Sequence, residues 1–157
     1  MSGDGFKVGG PAMIERIRIG NHTVSFEHES GLIHLAHVGT MDGQEMTAIA
    51  DEFASYRQRF FRGEPPYIVV DNRKATGFTN DARHALSRHE LARDEVCAAL
   101  WGASFAIRTV INLVFKALAL ATSSKSVAMA VATEAEARAW LTEQRENFRG
   151  RRTKGAA

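Results

Sequence analysis

The residues best placed to do chemistry lie between Val69 and Leu86, where an apolar run meets a cluster of short polar side chains. Asp71 directly follows the apolar run, and a carboxylate at the end of a strand either contacts a ligand or accepts hydrogen bonds from the adjoining loop. Thr79 and Asn80 stand where a helix is expected to begin. A threonine hydroxyl at that point either accepts a phosphate or caps the helix by binding backbone N–H groups.

The histidines and carboxylates form no recognisable catalytic or metal-binding pattern. His34 and His37 are three apart on a predicted strand, so their side chains should point to opposite faces. His84 and His89 are five apart on a predicted helix, whereas one ion needs a spacing of three or four. No nucleophile stands at a recognised spacing from a base, and no glycine-rich phosphate loop follows a strand. The sequence therefore predicts a non-enzymatic protein without a metal or cofactor.

A basic surface is predicted on the second helix, which is expected to run from Thr79 to about Arg93. Arg83 and His84 begin this surface, and Arg88 extends it. Two interpretations remain open: the surface binds an acidic partner, or it is a solvated face whose ion pairs contribute little to stability. The residues assigned to a partner surface are Thr79, Arg83, His84 and Arg88.

The predicted third helix, Phe105 to Ala121, is unusually apolar. Arg108, Asn112 and Lys116 are spaced four apart and form one narrow polar stripe, so most of the circumference needs apolar contacts. Three explanations remain open: packing on two sides within the domain, a homodimer face, or an apolar ligand pocket or membrane-entering patch. The segment is too short and too charged to be a transmembrane span. The residues assigned to an apolar pocket are Phe78, Phe105, Arg108, Ile111 and Phe115.

The length of 157 residues favours one domain with its own core. Cys97 is the single cysteine and lies in an apolar run, so we expect a reduced, packed thiol. Residues 144–157 hold five basic residues and one acid, which leaves a mildly acidic body and argues against nucleic-acid binding by that body. Two interpretations of the basic tail remain open: it touches an anionic membrane or RNA, or it is a solvated, frayed terminus. We expect a flexible leader over residues 1–12, the folded domain over residues 13–148 and a basic flexible tail over residues 149–157.

Hydrophobic periodicity predicts an α/β fold in the order βββαβαβαβα. The later alternation of helices and strands implies a mixed sheet of about five to six strands with parallel pairs and right-handed crossovers. Thr133 and Glu136 have the spacing of a capping box at the start of the last helix.

Two turns are predicted from their residue types. Ser30 and Gly31 indicate a hairpin, and a tight turn there would place Glu27 opposite His34. The turn-forming residues between Lys74 and Gly77 indicate that the preceding strand ends at Asp71.

The layout from Val69 to Leu86 resembles the STAS domain of bacterial anti-sigma-factor antagonists. In that family an Asp ends a strand, and an Asp-Ser pair then opens a helix whose Ser is the phosphorylated switch. On this pattern Asp71 matches the strand-end Asp, Thr79 matches the second Asp, and Asn80 falls on the Ser. The segment from Thr133 to Leu141 is similar to the ending of the SpoIIAA-like subgroup, which is related to the CRAL-TRIO lipid-binding fold. Because Asn cannot be phosphorylated, the resemblance implies the fold without the switch.

The sequence and the resemblance together predict a cytoplasmic bacterial protein that acts as a protein-interaction module and binds either another protein or itself as a homodimer. The alternative is a carrier or sensor of an apolar or lipid-like ligand that is at most peripheral to a membrane, since members of the SpoIIAA-like subgroup have been linked to such ligands. Neither interpretation expects nucleic acid as a partner.

Overall fold

The computed structural model describes the backbone of residues 14–121 and 125–156. The predicted leader, residues 1–12, lies outside this part of the chain. The strands within it are β1 (Ile14–Ile19), β2 (His22–Glu27), β3 (Leu32–Met41), β4 (Tyr67–Phe78), β5 (Cys97–Trp101) and β6 (Val127–Val131). The helices are α1 (Gly43–Phe60), α2 (Asn80–Arg88), α3 (Phe105–Ala121) and α4 (Glu134–Gly155), and a short 3-10 helix (Glu90–Arg93) follows α2.

One sheet holds β1 to β6 in chain order. The first three strands pair antiparallel, and β3, β4, β5 and β6 pair parallel. The predicted α/β fold class, with its opening hairpin and its parallel strands joined through helices, is confirmed. Parallel neighbours need a crossover segment, and α1, α3 and the α2 region supply these connections.

The β2–β3 hairpin has a longer loop than its turn residues predict. Glu27 pairs with Leu32, two residues before His34. The loop covers residues 28–31, and Gly31 has a positive φ of 64° and donates its N–H to the Glu27 carbonyl oxygen at 2.8 Å. The predicted pairing of Glu27 with His34 is therefore wrong, because the glycine closes a longer loop than a tight two-residue turn.

Strand β4 continues past Asp71, where the turn residues predict an end. It runs parallel to β3 as far as Phe78, with two register shifts along the way. Gly77 has a φ of 143°, a conformation that side chains disfavour, and the Thr40 and Thr76 hydroxyl oxygens lie 2.9 Å apart. The turn-prone residues remain extended because the equally long β3 pairs with their backbone.

Helix α2 ends at Arg88, earlier than the predicted Arg93. His89 divides the segment because its N–H donates to the last turn of α2, while its Nδ1 accepts from Leu91 N–H at 3.1 Å and caps the 3-10 helix. The His89 Nε2 atom lies 2.7 Å from Asp51 Oδ1 on α1, which ties this break to the neighbouring helix.

Adjacent residues of β2 show that α1 and α4 cover opposite faces of the sheet. The Phe26 ring stacks on Phe60 of α1 at a centroid distance of 4.1 Å. The next residue, Glu27, accepts two hydrogen bonds from Arg138 of α4, each 2.8 Å long. Successive side chains of a strand point to opposite faces, so each face has its own helix. Burial of a large apolar side chain such as Phe26 contributes about 1.5–3 kcal/mol.

Helix α4 extends into the region predicted to be a flexible tail. It is helical to Gly155, and Arg149 forms an ion pair with Glu64 at 2.7 Å. Arg152 donates to the Gly63 carbonyl oxygen at 3.3 Å. The difference arises because these arginines contact the loop before β4, which is distant in the chain.

The Glu27–Arg138 pair should make stability depend on pH. The hydrogen bonds from Arg138 lower the pKa of Glu27 to about 2, so the pair stabilises the fold above the unfolded-state pKa and this contribution is lost as the pH falls through the folded-state pKa. We expect Arg138→Met to lower the free energy of unfolding by about 2 kcal/mol at neutral pH, discounted for partial exposure of the pair.

Urea denaturation between pH 7 and pH 2 measures this effect. The difference between the wild type and Arg138→Met should shrink toward zero at the acid end, whereas Arg151→Met, at an exposed arginine of the same helix, should behave like the wild type. If the difference in the free energy of unfolding between the wild type and Arg138→Met does not change with pH, the Glu27–Arg138 pair is not the source of the stabilisation.

Candidate functional site

Helix α2 begins beside the start of α1, at the carboxyl ends of β3 and β4. Thr79 is its N-cap: the Thr79 Oγ1 accepts from Ala82 N–H at 3.3 Å, and the Thr79 N–H donates to the Met41 carbonyl oxygen at 3.0 Å. Asp81 reaches α1, where its Oδ2 accepts from Gly43 N–H at 3.0 Å. The Thr79 hydroxyl therefore acts in capping, which is one of the two interpretations that the sequence allows.

Asn80 occupies the first position of α2 and is exposed. Its Oδ1 lies 3.5 Å from Arg83 Nη1, a weak contact at the limit of hydrogen bonding. The surface position that the sequence resemblance assigns to a phosphoswitch is thus open to solvent, but it carries an amide in place of a hydroxyl.

A groove of about 630 Å³ lies between the two helices. His84 and Arg88, two of the four residues predicted to form a partner surface, line this groove, whereas Thr79 and Arg83 lie outside its lining. We call it the α1–α2 groove, and its lining residues are Gly43, Gln44, Thr47, Ala48, Asp51, Asp81, His84, Ala85 and Arg88.

The charged groups of the α1–α2 groove differ in what already binds them. Asp51 pairs with His89 at 2.7 Å, and hydrogen bonds from Thr79 and from the Gly43 N–H hold the pKa of Asp81 below its ordinary value. Among the residues that the structure describes, no carboxylate pairs with the exposed Arg88. The groove therefore offers the guanidinium of Arg88, which has no ion-pair partner among the described residues, to a ligand that brings a carboxylate.

Asp71 belongs to a different cluster. Its Oδ1 accepts from the backbone N–H of Arg73 at 3.0 Å, and its Oδ2 accepts from Arg73 Nη2 at 2.8 Å. Burial raises the pKa of Asp71, but the hydrogen bonds from Arg73 outweigh burial and the net shift is downward. The Arg73 guanidinium also lies 4.6 Å from the Trp101 ring centroid. Asp71 thus accepts local hydrogen bonds, as one of its two sequence interpretations predicts.

The residues predicted to form an apolar pocket are only partly brought together. Arg108 lies 5.8 Å from the ring centroid of Phe105, which is 78% exposed. Phe78 packs against His37 at a centroid distance of 4.9 Å, and Ile111 is partly buried. The side chain of Phe115 lies outside the described residues. None of these residues lines the α1–α2 groove.

Helix α3 packs on β6 and leaves large apolar side chains exposed. Leu113 is 61% exposed and Leu120 is 91% exposed. In the described part of the chain, none of the helices is both long enough and apolar enough to cross a bilayer. Packing on two sides within the domain, the first of the three explanations for this helix, does not account for these exposed side chains.

Asn112 has a role that sequence reasoning missed. Its Oδ1 accepts from the Ala130 N–H at 2.8 Å, and its Nδ2 donates to the Ala130 carbonyl oxygen at 3.0 Å. Both backbone groups of this β6 residue are therefore paired on the side away from β5. The polar stripe of α3 was the available signal, but it does not indicate which strand the amide meets.

Two buried histidines form another cluster that the sequence did not predict. Val38 N–H donates to His22 Nδ1 at 3.1 Å, which leaves the proton on His22 Nε2 to donate to Glu45 at 3.2 Å. The His22 and His37 ring centroids lie 5.2 Å apart, and burial lowers the pKa of His37. Alternation with Val24 was the signal for a buried His22. The described residues contain no group of three potential metal ligands.

The capping role of Thr79 can be tested by removing its hydroxyl. Thr79→Ala leaves the Ala82 N–H without its acceptor, and we expect a loss of about 1 kcal/mol in the free energy of unfolding. Thr79→Ser keeps the oxygen and should stay within about 0.5 kcal/mol of the wild type. Urea denaturation measures both, and equal stability of the Ala and Ser variants would argue against a capping hydroxyl.

No family model matches this sequence, and no curated protein matches it. Among solved structures, the fold is similar to an uncharacterized protein with a SpoIIAA-like fold from Shewanella loihica, with 12% identity, a TM-score of 0.47 and coverage of 82% of this chain and 92% of that chain. It is also similar to the anti-sigma factor antagonist SpoIIAA in its unphosphorylated form, with 11% identity, a TM-score of 0.44 and coverage of 88% of this chain and 99% of that chain. At these values neither likeness carries a functional argument.

Proposed function

We propose that this chain is a non-enzymatic protein-interaction module that binds its partner through the α1–α2 groove. The observation that carries the proposal is the position of Arg88 and His84 on the wall of a groove between two packed helices. A protein side chain with a carboxylate fits this site, because Arg88 is exposed while Asp51 and Asp81 are already bound by neighbours. A charge-assisted hydrogen bond to an arginine gives such a contact both strength and direction.

The proposed interaction does not depend on phosphorylation at the start of α2. Asn80 has an amide where the sequence resemblance expects the modified serine. The hydroxyl of Thr79 is engaged by the Ala82 N–H, so exposing it to a kinase would uncap the helix. In this proposal the module acts without the phosphoswitch of the family that it resembles.

Reversing the charge at Arg88 tests the proposal. Purified wild-type protein is used to capture binding proteins from cells, and the affinity of a partner identified in this way is then measured by calorimetry. We expect Arg88→Glu to weaken binding by about 10-fold or more, because it brings a carboxylate next to the carboxylate of the partner.

Arg16→Glu, which makes the same charge change at an exposed position of β1 far along the sheet, is the matched control and should bind like the wild type. Circular dichroism must show that both variants are folded. If Arg88→Glu binds the partner as tightly as Arg16→Glu does, the α1–α2 groove is not the docking site.

The exposed apolar side chains of α3 favour a second candidate function, in which the protein carries or senses an apolar or lipid-like ligand at a membrane surface. Phe105 and Leu113 lie about two helical turns apart on α3 and are largely exposed, and Arg108 lies beside the Phe105 ring. Exposed apolar side chains combined with a cation suit a ligand or bilayer with an anionic headgroup. Native mass spectrometry separates this candidate from a homodimer, because it reports both a retained small molecule and the subunit number.

A charged residue within this apolar face should weaken such binding. We expect Leu113→Asp to reduce cosedimentation with anionic vesicles at least about fivefold, since a carboxylate must be desolvated to enter the headgroup region. Thr142→Asp adds the same charge at an exposed position of α4 and should cosediment like the wild type. A wild-type protein that fails to bind vesicles would exclude the membrane version of this second function.

A further inference from the structure

A second cavity, of about 540 Å³, lies at the edge of the sheet opposite the α1–α2 groove, where Tyr67, Cys97 and Val127 begin their strands. The last turns of α4 cover it with Phe148 and Arg151. We call it the strand-start cavity, and we propose that it binds a small organic anion with an apolar body. This site is separate from the α1–α2 groove and from the exposed face of α3.

The lining of the strand-start cavity fits an apolar body. Val96, Cys97 and Val127 contribute apolar surface from the sheet side, and Phe148 contributes a ring from α4. The volume lies within the range of about 300–1,000 Å³ that is typical of small-molecule sites. The thiol of Cys97 adds no charge, because burial raises its pKa to about 12. An apolar group of the ligand would therefore be the favoured occupant.

The charged residues of the same cavity fit an anion. Lys125, Arg151 and Arg152 line it together with a single carboxylate, that of Glu95. Lys125 and Arg151 are exposed, so they stand at the mouth. Arg149, the neighbouring cation of α4, is held by Glu64 and does not line the cavity. The excess of positive charge at the mouth complements a carboxylate or a phosphate monoester.

Tyr67 gives the independent reason to expect a ligand. Its side chain is 1% exposed, it lines the cavity, and its Oη has no hydrogen-bond partner among the described residues. Burial, followed by the charge of Glu64, raises the pKa of Tyr67 to about 12, so the hydroxyl keeps its proton. A buried donor without an acceptor is unfavourable, and an oxygen atom of the ligand would satisfy it.

Three probes separate the parts of this proposal in NMR titrations of the full chain. Phenyl phosphate carries both an apolar ring and an anion, inorganic phosphate carries the anion alone, and phenol carries the ring alone. We expect phenyl phosphate to shift the amide signals of Cys97, Val127 and Phe148 and to bind at least about 10-fold more tightly than either fragment. Equal binding of inorganic phosphate, shifts confined to α3, or no binding of phenyl phosphate at about 10 mM would overturn the proposal.

Two variants assign the binding to the cavity. Arg151→Glu should lower the affinity for phenyl phosphate by about 10-fold. The same charge change in Arg16→Glu on β1 should leave this affinity unchanged. Tyr67→Phe removes a hydroxyl that has no described partner, so its melting temperature should equal or exceed that of the wild type while its affinity for phenyl phosphate falls. If Arg151→Glu and Tyr67→Phe both bind phenyl phosphate with wild-type affinity, the strand-start cavity is not the binding site. Neither variant alters the α1–α2 groove, so this test is independent of the proposed function.

Discussion

The parallel pairing of β3 with β4 is the constraint on which the rest of the structure depends. It aligns the two strands from Ile33 with Ile68 to Met41 with Phe78, and the chain leaves both strands at the same edge of the sheet. The N-terminus of α1 and the N-terminus of α2 must therefore start side by side. Gly43 sits at this meeting point, and a Cβ there would lie 2.7 Å from Asp81 Oδ2. The groove between the helices is thus a consequence of the register of β3 with β4 and of the close approach of α1 and α2 at Gly43.

Features that depend on neighbours in the chain could be predicted from the sequence. Thr79 and Thr133 cap helices at the positions where their spacing predicts caps, because a cap needs only the three or four residues that follow it. The order of helices and strands could be predicted for the same reason, because hydrophobic periodicity is a local pattern in the sequence. For the candidate site, His84 and Arg88 lie on one helix face by their spacing alone, and both line the α1–α2 groove. The groove itself could not be foreseen, because its other wall comes from α1.

The features that the sequence did not predict depend on distant residues. The turn-prone segment before Phe78 remains extended because β3 pairs with it. The predicted tail continues as a helix because Arg149 forms an ion pair with Glu64, which is 85 residues away in the chain. Local propensity is a weak determinant where a long-range partner exists, and neither partner can be read from the segment itself. The buried hydroxyl of Tyr67 also could not be predicted, because its burial without a hydrogen-bond partner among the described residues depends on the folded structure around it.

The amide of Asn112 also covers part of the outer edge of the sheet, at β6. A sheet with an open edge can recruit a strand from another chain, which is the route to intermolecular β-aggregation. One planar amide presents the donor and the acceptor that the Ala130 backbone would otherwise offer to an incoming strand. Few side chains carry a donor and an acceptor in one planar group. A residue at position 112 without both functions would leave at least one of these two backbone groups open to an incoming strand.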